Sequence, residues 1–300
     1  MDKLTRAYFE LQFRVLFFID AKGNEFQSLF SRIMSMRYPA DFMAVRPWGN
    51  EGDRKSDGYL PSRRNLFQCY APNDLKAVTC VAKIEEDFTG AISHWERYFD
   101  MWTFVHNTKD LPPHVVEKLL ELETRNKAVK VNHWGFEEIR HELFQLAECD
   151  LSALLGPAPT QATVVALGVN DLEPILRHIA HQPPTSAHDL RPVPAEKLAY
   201  NQLSDDAATL LTAGMTRADL LRKYFRLRPR ERDSIAETFK QTYECLRGDR
   251  LPPDELLMGL RSFASGGLSQ ATPAREAAIL AVLAYFFEEC DIFERPEAES

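Results

Sequence analysis

The chain has 300 residues, and its 36 Lys and Arg against 44 Asp and Glu give a formal net charge of −8. Hydrophobic residues make up 45% and charged residues 27%, which is close to the average globular chain. This composition excludes a disordered, collagen-like or disulfide-stapled protein, and the negative charge argues against a protein that coats nucleic acid along its whole length.

The first half of the chain alternates between strand-like and helix-like patterns. The dense aromatic and β-branched run at 9–18 favours a strand over a short helix. A helix capped by Asn24 and stopped before Pro39 is expected next. The remaining expected elements are strands at 42–47, 57–60 and 65–70, a helix at 74–101, a strand at 103–106, a helix at 112–123, a strand at 129–133 and a helix at 136–147. This order predicts an α/β domain with a mixed sheet flanked by helices.

A change of character follows the breaker cluster Gly156-Pro157-Ala158-Pro159. We therefore expect an α/β domain at 1–155 and an all-α domain at 156–300. The expected helices of the second domain lie at 205–212, 217–225, 229–246, 253–262 and 274–290. The last of these is apolar nearly all round, which favours a core position, with a subunit interface as the alternative. The basic stretch 217–232 favours a salt-bridged surface or a protein interface over a DNA-reading helix pair.

The cysteines predict reduced thiols, because they are odd in number and form no CxxC pair or zinc-ligand spacing with His. They are Cys69, Cys80, Cys149, Cys245 and Cys290. No stretch approaches the roughly 20 apolar residues that span a bilayer. These features lead us to expect a cytoplasmic protein with no membrane segment.

Several oxygen-bearing side chains surround one predicted hairpin. Strand alternation places Gln68 and Tyr70 on the same face, and an acid at the end of the preceding strand, Asp57, can face Gln68. Glu25 on the preceding helix and Asp53 in the loop could approach the same point. Carboxylate and amide oxygens suit Mg²⁺ or Mn²⁺, and a metal held in this way could support phosphodiester hydrolysis.

The segments with Glu25, Gly52-Asp53, Asp57-Gly58 and Gln68-x-Tyr70 resemble the restriction-endonuclease-like, PD-(D/E)XK nucleases and their Mrr-like branches. The resemblance implies that fold for the first domain. It also implies that Asp57 is the central metal ligand and that Gln68 occupies the second acidic position. Glu25 would be the helix carboxylate, and Asp53 an additional ligand.

The chain departs from this family at Tyr70, where the family usually has a lysine that orients and helps deprotonate the attacking water. A tyrosine with an unperturbed pKa near 10 is a poor base at neutral pH. Lys55 or Lys83 is a candidate to supply the missing ammonium, so Lys55, Asp57, Gln68 and Tyr70 form the predicted catalytic set.

Other interpretations of these residues stay open. Asp53 and Asp57 lie among Gly and Ser, where an aspartate commonly caps its own backbone. Glu25 follows a helix start, where a carboxylate is favourable in any protein. Four arginines crowd the same stretch and could bind DNA phosphates, but a solvated basic hairpin is an equal alternative. They are Arg46, Arg54, Arg63 and Arg64.

A narrower resemblance covers nearly the whole chain. The segments GDRKSDGY, FQCYAP, FVHN, LLGPAP and AYFFEECDIF look like those of an effector from bacterial ABC-three-component or Lamassu-type antiphage defence systems. In these systems a variable N-terminal effector carries a helical domain that docks onto an SMC-like ATPase and a middle component. The chain has no GxxxxGK[ST] motif, so we assign the ATPase to a partner.

These observations predict a metal-dependent DNA endonuclease that is held quiescent in an assembly and is released or clustered on infection. It would act on double-stranded DNA as a homo-oligomer. The alternative is a catalytically inactive nuclease-fold module that senses DNA ends or forms a scaffold for the ATPase. An RNA nuclease differs only in substrate, and no aromatic RNA-reading motif favours it.

Overall fold

The computed structural model describes residues 1–45, 54–180, 196–266, 271–289 and 291–294. The chain forms two compact units, one of Leu16–Leu151 and one of Met1–Val15 with Ser152–Ser300. This differs from the expected division because the first helix, α1 (Lys3–Val15), packs with the C-terminal helices. No helix in the described part of the chain is both long and apolar enough to cross a bilayer.

The unit at 16–151 is built on a five-stranded mixed sheet whose strands follow one another in chain order. Strands β1 to β3 pair antiparallel, whereas β3, β4 and β5 pair parallel. The strands are β1 (Met43–Ala44), β2 (Gly58–Leu60), β3 (Asn65–Tyr70), β4 (Met101–His106) and β5 (Lys130–Trp134). The mixed sheet confirms the prediction of an α/β unit.

Helices cover both faces of this sheet. Phe30 of α2 packs on Phe67 of β3, with ring centroids 5.3 Å apart. On the other face, Phe88 of α3 packs on Trp102 of β4 at 5.4 Å. The helices of this unit are a π-helical turn (Leu16–Asp20), α2 (Gly23–Arg37), a 3₁₀ turn (Pro61–Arg63), α3 (Ala77–Trp95), α4 (Pro113–Arg125) and α5 (Phe136–Leu143). Burial of Phe67 on one face and Leu66 on the other therefore fixes the orientation of β3.

Two expectations for the N-terminal region are wrong. The run at 9–18 is helical, because it continues α1 and then forms the π-helical turn. Because α1 is buried on several sides, its sequence is a nearly continuous apolar run, which is also typical of a buried strand. Asn24 does not cap α2, because the helix already begins at Gly23 and Lys22 is its N-cap residue. The end of α2 at Arg37, before Pro39, confirms the predicted stop.

The second unit is helical in its described residues. After α6 (Glu148–Leu155), which continues the chain from the first unit, come α7 (Gln161–Ala166), α8 (Val169–Ala180), α9 (Glu196–Tyr200), α10 (Asp205–Met215), α11 (Ala218–Arg226), α12 (Pro229–Gly248), α13 (Pro253–Ser265) and α14 (Pro273–Glu288). Helix α14 is buried along almost its whole length, which confirms its predicted core position.

Polar contacts tie α1 into this helical unit. The Thr5 hydroxyl donates to the Pro159 carbonyl at 3.0 Å. Arg261 of α13 donates to the Tyr8 hydroxyl at 2.6 Å and pairs with Glu276 of α14 at 2.7 Å. Since Tyr8 and Glu276 are almost fully buried, the Arg261 guanidinium satisfies two polar groups inside the unit.

Candidate functional site

The Asp57 carboxylate lies at the start of β2 and is buried. The Asp57 backbone N–H donates to the Phe67 carbonyl at 2.9 Å, although Phe67 is already the residue paired with Gly58. Oδ2 accepts the Cys69 N–H at 2.7 Å, and Oδ1 accepts the Gln27 amide from α2. The carboxylate therefore satisfies the next donor of β3, at the point where β2 no longer does so.

Gln68 lies on β3 directly before Cys69, whose N–H donates to the Asp57 carboxylate. The β2–β3 pairing ends at Gly58 and Phe67, so the expected position of Asp57 facing Gln68 is not observed. Strand alternation puts Gln68 on the α3 side of β3 with Tyr70, whereas the Asp57 carboxylate hydrogen-bonds to Gln27 of α2. Gln68 is buried, and its Oε1 has no hydrogen-bond partner within the described part of the chain. A buried acceptor in this condition is unusual, since most buried polar atoms are hydrogen-bonded.

Tyr70 lies two residues further along β3, on the face that packs against α3. Burial raises the pKa of its hydroxyl, and the nearby Cys80 and Asp87 raise it further. The hydroxyl therefore stays protonated at neutral pH. It can donate a hydrogen bond, but it does not replace the base that the family lysine supplies.

Lys55 directs its ammonium to α3. Its Nζ pairs with Glu86 and lies 3.2 Å from Asp87 Oδ1. The hydrogen bond that Lys55 donates to Glu86 and the negative charge of Asp87 raise the pKa of Lys55 above its ordinary value, although burial opposes them. Lys55 therefore carries a positive charge at neutral pH and cannot serve as a general base.

Glu25 lies in the first turn of α2 and is exposed. Gln27, two residues later, is the α2 side chain that hydrogen-bonds to Asp57. Residues two apart on a helix point in widely different directions, so an orientation that serves Gln27 does not serve Glu25. Burial raises the pKa of the neighbouring Asp20, and the charge of Glu25 adds to this effect.

Arg63 and Arg64 lie in the turn at the other end of β2. Arg63 donates to the Tyr38 hydroxyl at 3.0 Å, and Arg64 pairs with Asp100 at 2.8 Å. The three residues of β2, at roughly 3.3 Å per residue, separate this turn from Asp57 by about 10 Å. Both side chains are about half exposed, so they can still meet a phosphate.

The remaining predicted residues are placed only in part. Arg46 and Asp53 lie outside the described residues, so their predicted roles in DNA and metal binding stay predictions. Arg54 has a positive φ of 53°, and its carbonyl accepts the Trp95 indole N–H at 3.1 Å. This contact ties the segment before β2 to α3.

A metal at this site would rely on few protein ligands. No three His, Cys, Asp or Glu side chains converge in metal-binding geometry among the residues that the structure describes. Mg²⁺ commonly uses one or two protein oxygens and completes its shell with water and phosphate. Asp57 and Gln68 offer one carboxylate and one amide oxygen of this kind, although Asp57 is held from the α2 side and Gln68 lies on the α3 side of β3.

Sequence reasoning missed Gln27 and Asp87. Nothing in the sequence marks Gln27, because its contact with Asp57 depends on how α2 packs on the sheet. Asp87 did carry a signal, since it interrupts the apolar stripe of α3 directly before Phe88. A charged residue on the buried side of an amphipathic helix needs a partner, and this expectation could have selected it.

Several basic residues in the stretch 217–232 of the helical unit form ion pairs within the chain. Arg222 pairs with Glu288, and Lys223 pairs with Asp219 at 3.3 Å. The buried Arg232 pairs with Asp291 at 2.7 Å. These ion pairs agree with the expected salt bridges, and the alternative of a protein interface stays a prediction.

Comparison with known proteins shows one similarity, in the C-terminal region. Residues 170–294 match the family model of C-terminal domain 10 of the ABC-three component (ABC-3C) systems. This region of the chain is therefore similar to that family of domains. It covers less than half of the chain and does not extend to Asp57 and Gln68. No curated protein and no solved structure matches the chain.

Proposed function

We propose that the chain is the effector subunit of an ABC-three component defence system and that the unit at 16–151 is a metal-dependent DNA endonuclease. One observation carries the proposal. The buried Asp57 carboxylate is held by Gln27 and the Cys69 N–H, and Gln68, the residue directly before Cys69, is buried with an Oε1 that has no partner among the described residues. The order of helix, three antiparallel strands, helix and parallel strand adds support from the expected nuclease topology.

In this proposal Asp57 and Gln68 hold Mg²⁺ or Mn²⁺ through one carboxylate oxygen and one amide oxygen. Such an ion activates a water molecule and stabilises charge on the scissile phosphate. Gln27 and the Cys69 N–H hold the Asp57 carboxylate in one orientation. Metal binding would therefore cost little conformational entropy at this side chain. Arg63 and Arg64 lie about half exposed at the far end of the hairpin, where they would bind flanking phosphates.

The helical unit would connect this site to the rest of the system. Its match to an ABC-3C C-terminal domain supports docking onto an ABC-type ATPase and a middle component, as in Lamassu-type defence. Oligomerisation in that assembly would bring together two copies, which a single-site nuclease needs to cut both strands. The signal that starts this process would act through the partners.

A plasmid assay tests this function. Supercoiled plasmid is incubated with the purified chain in Mg²⁺, in Mn²⁺ or in chelator, both for the free chain and for the chain fused to a dimerising coiled coil. We expect nicked and linear DNA with either metal, more from the fused dimer, and intact plasmid in chelator. Intact plasmid under all conditions, or equal cleavage in chelator, would contradict the proposal.

A second candidate is a non-catalytic module of the same fold that senses DNA ends or forms a scaffold for the ATPase. The observation that favours it is Tyr70, whose raised pKa leaves neither a base nor a positive charge at the position of the usual lysine. This candidate predicts DNA binding that needs no metal, together with no cleavage by the fused dimer. A gel-shift assay in chelator alongside the plasmid assay separates the two functions.

A further inference from the structure

Asp87 is a buried carboxylate in the middle of α3 that meets two lysines. It is 1% exposed, and its Oδ1 lies 2.8 Å from Lys83 Nζ and 3.2 Å from Lys55 Nζ. A buried carboxylate requires a partner. Both ammonium groups lie on the same oxygen, Oδ1, so Asp87 holds two positive charges close together, whereas its Oδ2 is buried with no hydrogen-bond partner within the described part of the chain.

Lys55 reaches Asp87 from a segment with an unfavourable backbone. Both Arg54 and Lys55 have positive φ values, 53° and 62°, in the region that non-glycine residues rarely adopt. Contacts with α3 hold this conformation, because Lys55 packs on Gly90, where an added Cβ would lie 2.5 Å from Lys55 Cγ. Backbone strain of this kind persists where the surrounding structure enforces it, and it is frequent at functional sites.

The two ammonium groups lie on the side of β3 that carries Gln68 and Tyr70. Asp87 directly precedes Phe88 of α3, which belongs to the cluster against which Tyr70 packs. Gln68 and Tyr70 share a strand face by alternation. The lysine pair thus occupies the side of the strand on which a lysine at position 70 would have been placed.

We propose that Asp87 is a positioning residue that holds Lys55 and Lys83 together, so that the pair supplies the phosphate-binding positive charge that Tyr70 does not. The inference rests on the proposed function, since its ligand is the phosphate backbone of DNA. Both lysine side chains remain about one third exposed, so a phosphate can reach them from solvent. Glu86, which also pairs with Lys55, is 60% exposed and can give way to a phosphate.

The test compares DNA affinities in chelator, where cleavage plays no part. Asp87→Asn removes a negative charge from beside the DNA, so a carboxylate that merely repels phosphate would give tighter binding in the variant. A positioning role predicts the opposite sign, and we expect affinity to fall about fivefold or more. The matched control is Glu86→Gln, which removes the neighbouring exposed carboxylate and should bind at least as tightly as the wild type.

A second variant, Lys55→Met with Lys83→Met, measures how many phosphate contacts the two lysines make, through the salt dependence of DNA affinity. The slope of log affinity against log salt is negative, and each lost phosphate contact reduces its magnitude by about 0.9. The double variant should therefore reduce the magnitude of the slope by about 1.8. An unchanged slope would overturn the inference, and it decides the matter even if Asp87→Asn does not fold. Tighter or equal binding by a folded Asp87→Asn, or no DNA binding by the wild type, would overturn it too. Binding that follows the prediction without cleavage in Mg²⁺ would overturn only the nuclease function.

Discussion

Gln68 keeps an amide oxygen buried without a hydrogen-bond partner in the described part of the chain. Leaving such an acceptor unsatisfied costs roughly 1–3 kcal/mol. Gln68→Met replaces the amide with an apolar group of similar length, so we expect the free energy of unfolding to rise by about 1 kcal/mol. The same change should abolish metal-dependent cleavage. Denaturant unfolding and the plasmid assay measure the two effects, and loss of both stability and activity would point to a structural amide instead.

His106 makes the stability of the sheet unit depend on pH. Burial, together with the nearby His133, lowers its pKa to about 4. Between this value and the unfolded pKa of about 6.5, the unfolded chain binds the additional proton, so stability falls as the pH decreases through that window. We expect a loss of about 2 kcal/mol between pH 7 and pH 5 from this residue alone.

The variant His106→Phe isolates this contribution, because a phenyl ring can keep the stacking on Phe104. Its unfolding free energy should vary less between pH 7 and pH 5 than that of the wild type, by the same amount. Parallel curves for the two proteins would show that His106 is not the titrating group.

Single residues show how much of the site could be predicted from the sequence. Asp57 and Gln68 follow from a turn composition and from strand alternation, which are local properties. Gln27 and Asp87 could not be placed in the same way, because their contacts join segments about 30 residues apart. Such contacts depend on how α2 and α3 pack against the sheet.

At the scale of elements, Gly214 sets how closely α10 approaches α14. An added Cβ would lie 2.3 Å from the Leu280 carbonyl oxygen and 2.7 Å from the Ala284 Cβ. Because the first of these is backbone, the helices must separate, and we expect Gly214→Ala to destabilise the protein by about 1–3 kcal/mol.

Gly248 provides the matched control for this prediction. It ends α12, and an added Cβ would meet nothing within 4 Å. Gly248→Ala should therefore leave stability unchanged or raise it by up to about 1 kcal/mol through helix propensity. Thermal unfolding of both variants gives the comparison, and equal effects would contradict the close approach at Gly214.

Elements whose sequence signals are local are predicted correctly, whereas an element whose burial depends on distant segments is not. The strand at 65–70 was predicted with its observed bounds, because β-propensity, alternation and a preceding turn agree there. The end of α2 before Pro39 is also predicted by a local signal, the proline itself. The prediction of a strand at 9–18 is wrong because α1 is buried on several sides. The segments that bury it lie more than 140 residues away in the sequence, so no local pattern reveals them.

At the scale of the whole molecule, α1 is part of the C-terminal helical unit, although the family match begins at residue 170. Tyr8 is almost fully buried and accepts a hydrogen bond from Arg261. We expect Tyr8→Ala to destabilise the helical unit by about 3–5 kcal/mol, as for other large aromatic truncations. Hydrogen exchange should show faster exchange in α10 and α13.

Gln12→Ala is the control for this change. Gln12 also lies on α1 and donates to the Tyr8 hydroxyl at 3.0 Å, but it is less buried. Its loss should cost less than about 1 kcal/mol. If Tyr8→Ala left exchange in α10 and α13 unchanged, α1 would not be an integral part of that unit.

The net charge of −8 is unevenly distributed along the chain. Residues 1–75 hold 11 Lys and Arg against 9 Asp and Glu, whereas residues 76–300 hold 25 against 35. The acidity therefore lies mainly outside the hairpin that would meet DNA. This distribution suits a chain that binds DNA weakly by itself and is concentrated on it by an assembly.

The central claim is that Asp57 holds a metal needed for cleavage of DNA. The most direct measurement is the initial rate of plasmid cleavage in Mg²⁺ by the dimerised chain, compared with that of Asp57→Asn. Asp41→Asn is the control, since the Asp41 carboxylate also accepts a backbone N–H, from Ser62 at 3.1 Å. We predict that Asp57→Asn lowers the rate by at least about 100-fold and that Asp41→Asn changes it little. Equal cleavage by Asp57→Asn and the wild type would contradict the claim.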